Sequence, residues 1–309
     1  MRTIRTSIEI LEHVPISTWF GVGGCADAMA TPTSLDELRA CRDIDDKLVV
    51  LGEGANLLVC DEGIDRLVVR LSSPAFTQCA FHDNGIVSVG SGVTLPKLIN
   101  LCERRGLAGI EGLAGFPASI GGAIRMNAGG AFGEIGDAVH SVTLVCKDNT
   151  LRTLHKDDIA FSYRETRFGN DAIFDDAVVM EVQLKLTPDD PNYIKQRKLD
   201  AMEYKKRTQP LSADSAGCCF KNPTLPHDID SIGSKGLRVS AGMLIDRACL
   251  KGTEIRSARV SEHHANFICS SKDGCARDII ELMDLCQRAV HETFGVLLQR
   301  EVVVWERSA

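Results

Sequence analysis

Two adjacent cysteines, Cys218 and Cys219, stand in the sequence AGCCFKNP at residues 216–223. Neighbouring thiols in front of a lysine could form a redox pair, a metal clip or a catalytic group, or they could simply pack in the core. A disulfide between neighbours is strained, and the sequence offers no partner ligands for a metal. Successive side chains of an extended segment lie on opposite sides. The two thiols are therefore expected to have different environments.

A cysteine nucleophile needs a histidine beside the thiol and a third group that orients the histidine. The sequence around CCFKNP has no feature that places such a pair there. A cysteine hydrolase is therefore the least supported of the enzyme classes.

Charged residues in two short segments could act on an anionic ligand. Arg164 lies in FSYRETRF and Glu301 lies in LLQREVVVW. A guanidinium can donate two parallel hydrogen bonds to a carboxylate, but an arginine in a polar turn more commonly faces solvent, as does a strand glutamate. The run Lys205, Lys206, Arg207 could contact phosphates or could be a solvated helix end. The residues alone leave these alternatives open.

Three glycine-rich segments could bind phosphate through backbone amides. They are GEGANLL (52–58), GSGVTL (90–95) and FPASIGGAIRMNAGG (116–130), and each is expected to follow an apolar strand. Backbone without side chains lets several N–H groups converge on an anion, although any one such segment can equally be a hairpin turn. The sequence has neither a P-loop motif nor a G-x-G-x-x-G motif that opens a helix. Together the segments favour a diphosphate ligand held outside those two schemes.

Composition narrows the class of protein. The chain has 309 residues, of which 44% are hydrophobic and 25% are charged, and its net charge is −7. This is typical of a globular protein with more than one domain, and the acidic balance argues against a nucleic-acid partner. We expect no membrane span and no signal peptide, and therefore a cytoplasmic protein. The twelve scattered cysteines are expected to be reduced thiols, several of them buried, and no zinc site is expected.

Short apolar strands alternate with glycine turns and a few helices, which predicts an α+β fold. Ser34-x-x-Glu37 predicts a capped helix start, Thr94 a second helix N-terminus, and the periodicity of 276–294 the longest amphipathic helix. An exposed connecting helix is expected to end before Gln209-Pro210, with a domain boundary near residue 207. The segment GVLLQREVVVW is predicted to be a final strand.

Seven motifs together give a specific resemblance. They are GEGANLLV, GFPASIGGAIRMNAGGAFGEI, FSYRETRF, AGCCFKNP, SAGMLIDRACLKG, VSEHHANFI and FGVLLQREV, in that order along nearly the whole chain. This arrangement resembles the UDP-N-acetylenolpyruvoylglucosamine reductases, the flavin enzymes that make UDP-N-acetylmuramate for peptidoglycan. The length is similar to that of the short variant of the family, which lacks an extra tyrosine-bearing loop.

The resemblance implies two FAD-binding subdomains, 1–72 and 73–207, followed by an α+β substrate-binding domain, 208–309. It implies noncovalent FAD, NADPH as co-substrate, a monomer, and no membrane or nucleic-acid partner. Residues expected at the substrate are Tyr163, Arg207, Lys221 and Asn222. Residues expected at the FAD are Gly52, Gly54, Ala55, Asn56, Leu57, Gly92, Pro117, Ser119, Ile120, Gly121, Gly122, Asn127, Ala128 and Gly129.

The resemblance also implies three catalytic residues. Arg164 would polarise the carboxylate of UDP-N-acetylglucosamine enolpyruvate, and Glu301 would assist charge development and proton handling. The family usually has a serine where this chain has Cys218, and that serine donates a proton to the substrate carbon. A thiol has a pKa of about 8.5 and stays mostly protonated at neutral pH, so Cys218 is a plausible replacement. Cys219 is expected to be a packing residue.

The implied reaction has two steps, in which NADPH reduces FAD and leaves, and the flavin then reduces the enolpyruvyl double bond. Two alternatives remain open. A flavin oxidase that uses oxygen would keep the glycine segments but would not need FKNP with a distant arginine and glutamate. A nucleotide-sugar binding protein would have no flavin colour.

Overall fold

The computed structural model describes residues 8–308. These residues form two compact units, which are discontinuous along the chain. The first unit contains residues 8–14, 26–53 and 66–205, and the second contains 15–25, 54–65 and 206–308. The division into 1–72, 73–207 and 208–309 stays a prediction, and its residues 1–7 and 309 lie outside the described part of the chain.

Helices and strands are distributed over the whole described chain, as an α+β fold requires. The helices are α1 (Leu35–Ile44), α2 (Leu95–Arg104), α3 (Ile120–Arg125), α4 (Ile135–Ala138), α5 (Pro191–Thr208), α6 (Ala241–Arg247) and α7 (Ala276–Phe294). The strands are β1 (Ile10–Pro15), β2 (Cys25–Ala30), β3 (Val49–Val50), β4 (Leu57–Val59), β5 (Ile64–Val69), β6 (Cys79–Phe81), β7 (Ile86–Gly90), β8 (Leu107–Ala108), β9 (Gly129–Gly130), β10 (Gly133–Glu134), β11 (Val139–Val145), β12 (Leu151–His155), β13 (Ile159–Ser162), β14 (Glu165–Phe168), β15 (Val178–Lys185), β16 (Thr187–Pro188), β17 (Glu254–Ile255), β18 (Ala258–Val260), β19 (Ile268–Ser270) and β20 (Val303–Trp305).

The first unit is organised around an antiparallel sheet with the strand order β12-β11-β15-β7-β6. Its central strands are rich in valine and leucine, and Val142 and Val182, which face each other in register, are fully buried. Helices α2 and α3 cover this core with residues such as Leu98, Ile120 and Ile124. A second sheet, β1-β2-β5-β3, packs its own smaller core.

In the second unit, α7 packs against the three-stranded sheet β17-β18-β19, and α6 packs against α7. Helix α7 buries Ile279, Met283, Cys286 and Val290 on one face, because these residues recur at helical spacing. Gly295 ends the helix in the left-handed conformation with φ 66°. The sequence prediction of a helix over 276–294 is confirmed.

Other expected helix starts are correct in position but differ in their bonds. Ser34 Oγ accepts a hydrogen bond from Glu37 N at 3.2 Å, as expected. The Glu37 carboxylate, however, accepts from Thr33 N at 2.6 Å, one residue earlier than a capping box requires. Thr94 is the N-cap of α2, but its side chain makes no capping hydrogen bond.

Two expectations about strands are wrong. The final strand covers only Val303–Trp305 and pairs in parallel with β4, whereas the segment before it follows an irregular path. The glycine segment 116–130 does not follow an apolar strand; a short 3₁₀ turn (Glu111–Leu113) precedes it, and it contains α3. In both places long-range backbone partners override the local apolar pattern.

No helix within residues 8–308 is both long and apolar enough to span a membrane. All twelve cysteines are free thiols, and Cys41, Cys102, Cys146, Cys219 and Cys286 are buried. In the described part of the chain no cluster of three or more His, Cys, Asp or Glu side chains is arranged to hold a metal ion.

Candidate active site

Arg164 lies at the tip of a two-residue hairpin in the first unit. The hairpin joins β13 to β14, and Ser162 pairs with Glu165 directly before and after the turn. Arg164 has φ 59°, a left-handed conformation that normally favours glycine or asparagine. Its guanidinium carbon lies 5.2 Å from the centroid of the Tyr163 ring. A left-handed backbone conformation at an arginine costs stability, so Arg164 is a candidate functional residue.

Asn127 holds this hairpin in place. Its side chain is fully buried; Nδ2 donates to Ser162 O at 3.0 Å and Oδ1 accepts from Gly136 N at 3.1 Å. Thr166 Oγ1 adds a bond to Ile124 O at 2.6 Å. The side chain of Asn127 is therefore engaged within the protein, and its expected contact with FAD stays a prediction that only its backbone could fulfil.

Lys205 lies near Arg164 in the first unit and is buried, with 7% of its surface exposed. The alternative of a solvated helix end is therefore wrong for Lys205, whereas Lys206 and Arg207 are exposed. The Nζ atom of Lys205 lies 2.9 Å from the centroid of the Phe116 ring. Burial and the positive charge of Arg164 lower the pKa of Lys205 to about 7.

Two glycines of the first unit, Gly52 and Gly122, lie beside Ser119. A β-carbon placed on Gly52 would lie 2.6 Å from Ser119 Oγ, and one placed on Gly122 would lie 3.3 Å from it. Ser119 Oγ also accepts from Gly122 N at 3.3 Å, and Gly121 N donates to Ser91 O at 2.8 Å. The first amides of α3 are therefore already bonded within the protein, and the expected contact of this segment with FAD stays a prediction.

Other expected FAD residues of the first unit have structural roles. A β-carbon on Gly92 would lie 1.7 Å from Leu71 O, and Ile120 is fully buried in the core. Gly129 pairs with Glu134 in the short hairpin β9–β10. Pro117 and Ala128 are half-buried in the same region, and the roles of all these residues at FAD stay predictions.

Two features of the described chain nevertheless fit a diphosphate-bearing cofactor. The backbone amides of three successive residues, Glu53, Gly54 and Ala55, donate to no acceptor within residues 8–308. Ser91 Oγ, in the segment GSGVTL, is buried without a hydrogen-bond partner there. Unsatisfied donors of this kind are stabilised when a ligand supplies the missing acceptors.

In the second unit, the two adjacent cysteines have different environments, as the sequence predicts. Cys219 is fully buried in the core, and burial strongly raises the pKa of its thiol, whereas Cys218 is half-buried. Gly217 before them has φ +84°. The expectation that Cys219 is a packing residue is confirmed.

The segment after Cys218 pairs with the segment that carries Glu301. Glu301 N donates to Cys219 O at 2.7 Å, and Lys221 N donates to Gln299 O at 2.8 Å. The backbone of Glu301 is thereby held against that of Cys219, the residue directly after Cys218. Cys218 and Glu301 are 83 positions apart in the sequence (301 − 218), and their catalytic roles stay predictions.

Asn56 fixes the other side of the Glu301 backbone. Asn56 Nδ2 donates to Glu301 O at 3.0 Å, and Val303 N donates to Asn56 O at 3.0 Å. Leu57, the next residue, is buried in β4. Gly54 has φ +65°, and a β-carbon there would lie 2.5 Å from Ser17 O, so the turn requires glycine for packing as well.

The expected substrate residues of the second unit lie nearby in the chain. Asn222 Oδ1 accepts from Ala241 N at 3.0 Å and so caps α6. Arg207 is exposed, and its carbonyl lies 2.9 Å from His263 Nε2. Lys221 is half-buried, and its contact with substrate stays a prediction, as do those of Tyr163, Arg207 and Asn222.

Sequence reasoning missed two residues. Asn266 is 2% exposed and bonds Phe220 on both sides, with Phe220 N to Oδ1 at 2.9 Å and Nδ2 to Phe220 O at 2.8 Å. The only signal was its place in the motif VSEHHANFI. Lys205 was considered only as an exposed contact, since a helical pattern gives no sign that a lysine packs on a distant phenylalanine.

Comparisons with known proteins show which family the chain resembles. Residues 26–155 match the FAD binding domain family, and residues 209–305 match the family of the UDP-N-acetylenolpyruvoylglucosamine reductase C-terminal domain. The UDP-N-acetylenolpyruvoylglucosamine reductase of Desulfosudis oleivorans is 38% identical over 97% of this chain and 95% of its own length. That of Bacillus subtilis is 32% identical over 96% of this chain and 94% of its own length.

A solved structure shows the same fold. The crystal structure of UDP-N-acetylenolpyruvylglucosamine reductase from Thermus caldophilus superposes with a TM-score of 0.78 at 34% identity, and the match covers 97% of this chain and 99% of that one. The chain therefore belongs to the UDP-N-acetylenolpyruvoylglucosamine reductase family, and it is a flavin-dependent oxidoreductase with FAD as its cofactor.

Proposed function

We propose that this protein reduces the enolpyruvyl double bond of UDP-N-acetylglucosamine enolpyruvate with electrons from NADPH. The product would be UDP-N-acetylmuramate, a precursor of peptidoglycan, so the enzyme would serve cell-wall biogenesis, cell shape and cell division. The relatives' names and the FAD-binding domain support the reduction, and the choice of NADPH is part of the proposal.

The pairing of the Cys219–Lys221 segment with the Gln299–Glu301 segment carries the proposal. Hydride addition to one carbon of a double bond requires a proton for the other carbon. Cys218 is half-buried, as a proton donor would be, and the Glu301 backbone is bonded to Cys219, the residue after Cys218, and to Asn56. The nearly inaccessible thiol of Cys219 is unsuited to this role.

Arg164 is proposed to bind the carboxylate of the enolpyruvyl group. Negative charge develops on that carboxylate as hydride arrives, and a preorganised guanidinium stabilises it without reorganisation. The strained turn and the buried amide of Asn127 fix the position of Arg164, which is the condition for such preorganisation.

FAD, when bound, would supply the hydride chemistry, with NADPH as the source of electrons. The residues proposed to hold it are the Glu53–Ala55 turn with its open amides and the segments around Ser91, Ser119, Gly121 and Gly122. We infer noncovalent binding of FAD and a monomer in the cytoplasm, a compartment in which twelve free thiols are stable.

Anaerobic mixing tests the function. Purified yellow protein should lose its flavin colour when NADPH is added and regain it when the enolpyruvyl sugar nucleotide follows, with UDP-N-acetylmuramate as the product by mass spectrometry. Return of colour only with oxygen, together with peroxide, would instead indicate an oxidase. A colourless protein that stays colourless after refolding with FAD would indicate a sugar-nucleotide binding protein.

A further inference from the structure

His264 lies in a loop of the second unit whose backbone is bonded to itself. Ser261 N donates to Phe267 O at 2.8 Å, and Phe267 N donates to His264 O at 2.9 Å. Ser261 Oγ accepts from His263 N at 3.1 Å and from His264 N at 3.4 Å. These bonds restrict the position of the half-buried imidazole ring of His264.

The ring of His264 fills a narrow space between this loop and α6. Its Nδ1 atom accepts a hydrogen bond from Asn266 N at 3.2 Å. The ring of Phe267 lies edge-on to it, with 4.9 Å between the centroids. On the side of α6, a β-carbon at Gly242 would lie 3.1 Å from His264 Cε1 and 3.4 Å from Asn266 Cβ. The ring therefore cannot shift without disturbing α6 or Asn266.

Only the neutral imidazole can make this hydrogen bond. A neutral ring has one N–H donor and one acceptor nitrogen, whereas both nitrogens of the protonated ring are donors. Protonation of His264 would set an N–H at Nδ1 against the N–H of Asn266. The observed bond therefore specifies a neutral ring whose Nδ1 carries no proton.

The surroundings of the ring also favour its neutral form. Burial, with His263 in the same loop and Lys251 after α6, lowers the pKa of His264 below its usual range. The acidic groups nearby are engaged elsewhere, since Asp246 of α6 pairs with Lys251 at 2.8 Å and Glu262 pairs with an arginine of β18 at 3.1 Å. The contacts of the ring with α6 and with the neighbouring aromatic ring are uncharged.

Asn266 connects this ring to the segment that carries Cys218. Its side chain bonds both backbone groups of Phe220, and its carbonyl accepts from Cys219 N at 2.8 Å. We propose that neutral His264 is a positioning residue for reduction of the sugar nucleotide, because it holds Asn266 and thereby the backbone directly after Cys218. This inference rests on the proposed function, since it takes Cys218 to be the proton donor.

The sign of the pH dependence follows from the hydrogen bond. Above the pKa of His264 the ring is neutral and accepts from Asn266 N; below it, the ring is protonated and the bond is lost. A displacement of about 1 Å at a reacting group can lower a rate ~100-fold. The rate at which reduced flavin is reoxidised by the sugar nucleotide should therefore fall as the pH falls through the pKa of His264.

Two substitutions at one position separate the hydrogen bond from the bulk of the ring. In His264→Asn, the side-chain oxygen can accept from Asn266 N and does not titrate, so the rate at about pH 8 should stay within ~3-fold of the parent. In His264→Leu, similar bulk lacks an acceptor, and the rate should fall ~10- to 100-fold. Single-turnover kinetics with flavin reduced beforehand gives these rates.

The ratio of the His264→Asn rate to the parental rate isolates this one titration, because groups that titrate in both proteins cancel. The ratio should rise by up to ~10-fold per pH unit below the pKa of His264. Nuclear magnetic resonance of the ¹⁵N-labelled, FAD-bound parent gives that pKa and the tautomer, and the signals absent from His264→Asn identify the ring. We expect an unprotonated Nδ1 and a protonated Nε2.

His291→Asn is the matched control, because His291 is an exposed histidine of α7 in the same unit. Its rate relative to the parent should not change with pH, and FAD content checks that each variant is folded. A proton on Nδ1 of the neutral ring, a pH-independent ratio for His264→Asn, or a parental rate in His264→Leu would each overturn the inference while the proposed function stands. If the parent does not reduce the sugar nucleotide at all, the proposed function fails and this inference fails with it.

Discussion

The side-chain amide of Asn266 forms a pair of hydrogen bonds with the backbone of Phe220, one with its N–H and one with its carbonyl. A third bond, from Cys219 N to Asn266 O at 2.8 Å, lies beside them. Cys218 is the next residue along the chain. The proposed proton donor therefore depends for its position on an asparagine 48 residues away (266 − 218).

Asn266→Ala should lower the free energy of unfolding by about 2 to 4 kcal/mol, because two buried backbone groups of Phe220 lose their partners. Chemical denaturation monitored by circular dichroism measures this loss. Gln299→Ala is the control, since it removes an exposed side-chain amide from the same unit and should change stability by less than about 0.5 kcal/mol. Equal losses for the two variants would show that the Asn266 bonds are unimportant.

Arg164→Gly should separate function from stability. Glycine adopts φ 59° without strain, so the free energy of unfolding should stay the same or rise by up to about 1 kcal/mol. Reduction of the sugar nucleotide should fall ~30- to 1000-fold, because a charge-assisted contact worth about 2 to 4 kcal/mol in the transition state is lost. NADPH oxidation, followed by stopped-flow absorbance, should not change.

Arg164→Lys should show the same loss of sugar-nucleotide reduction, since the point charge of an ammonium group does not replace a bidentate guanidinium donor. Arg167→Lys, at an exposed arginine of the same hairpin, should keep parental rates. A parental rate of sugar-nucleotide reduction in both Arg164 variants would show that Arg164 has only a structural role.

Glu301→Gln should fold normally, because Glu301 N and O, rather than its carboxylate, make the bonds to Cys219 and Asn56. The variant should retain flavin and its reduction by NADPH, and should slow reduction of the sugar nucleotide ~100-fold or more if the carboxylate handles protons or charge. Single-turnover kinetics of the second half-reaction measures the effect. A rate within about twofold of the parent would remove Glu301 from the mechanism.

Cys218→Ala should leave flavin reduction by NADPH intact and slow product formation ~10²- to 10⁴-fold, the usual contribution of a general acid. Cys218→Ser should recover much of the rate, since a hydroxyl can also donate a proton. Cys219→Ala should keep near-parental turnover and lose about 1 kcal/mol of stability, because it removes a fully buried sulfur from the core. Parental turnover in Cys218→Ala would mean that another group or water delivers the proton.

Gly122→Val tests the FAD site. A β-carbon at Gly122 meets only Ser119 Oγ, at 3.3 Å, so the variant should fold, and loss of flavin would report crowding of the cofactor. The ratio of flavin absorbance to protein absorbance measures the occupancy. Gly130→Ala is the control, because its β-carbon would make an ordinary contact with Phe116 at 3.4 Å. Full occupancy in Gly122→Val would exclude Gly122 from the site.

The sequence by itself predicted those features that depend on neighbours along the chain. The helix over 276–294 follows from the recurrence of apolar residues and from Gly295. The different burial of Cys218 and Cys219 follows from the alternation of side chains along an extended segment. The ordered motifs also identified the family, because glycines and functional side chains at fixed spacing persist as a linear pattern.

Only the tertiary structure decided which distant groups complete each local element. Helix α7 begins at Ala276, but its cap is Asp61, whose carboxylate accepts from Ala276 N at 2.8 Å and from Arg277 N at 3.0 Å. The expected final strand became irregular before Val303 because its backbone bonds instead with Cys219 and Lys221.

The burial of Lys205 against Phe116 was likewise decided by tertiary contacts. Partners separated by many tens of residues leave no periodicity in the sequence, since their bonds form only when packing of the whole unit brings their backbones within about 3 Å. Local pattern therefore specified the elements, and packing specified the environment of each functional side chain.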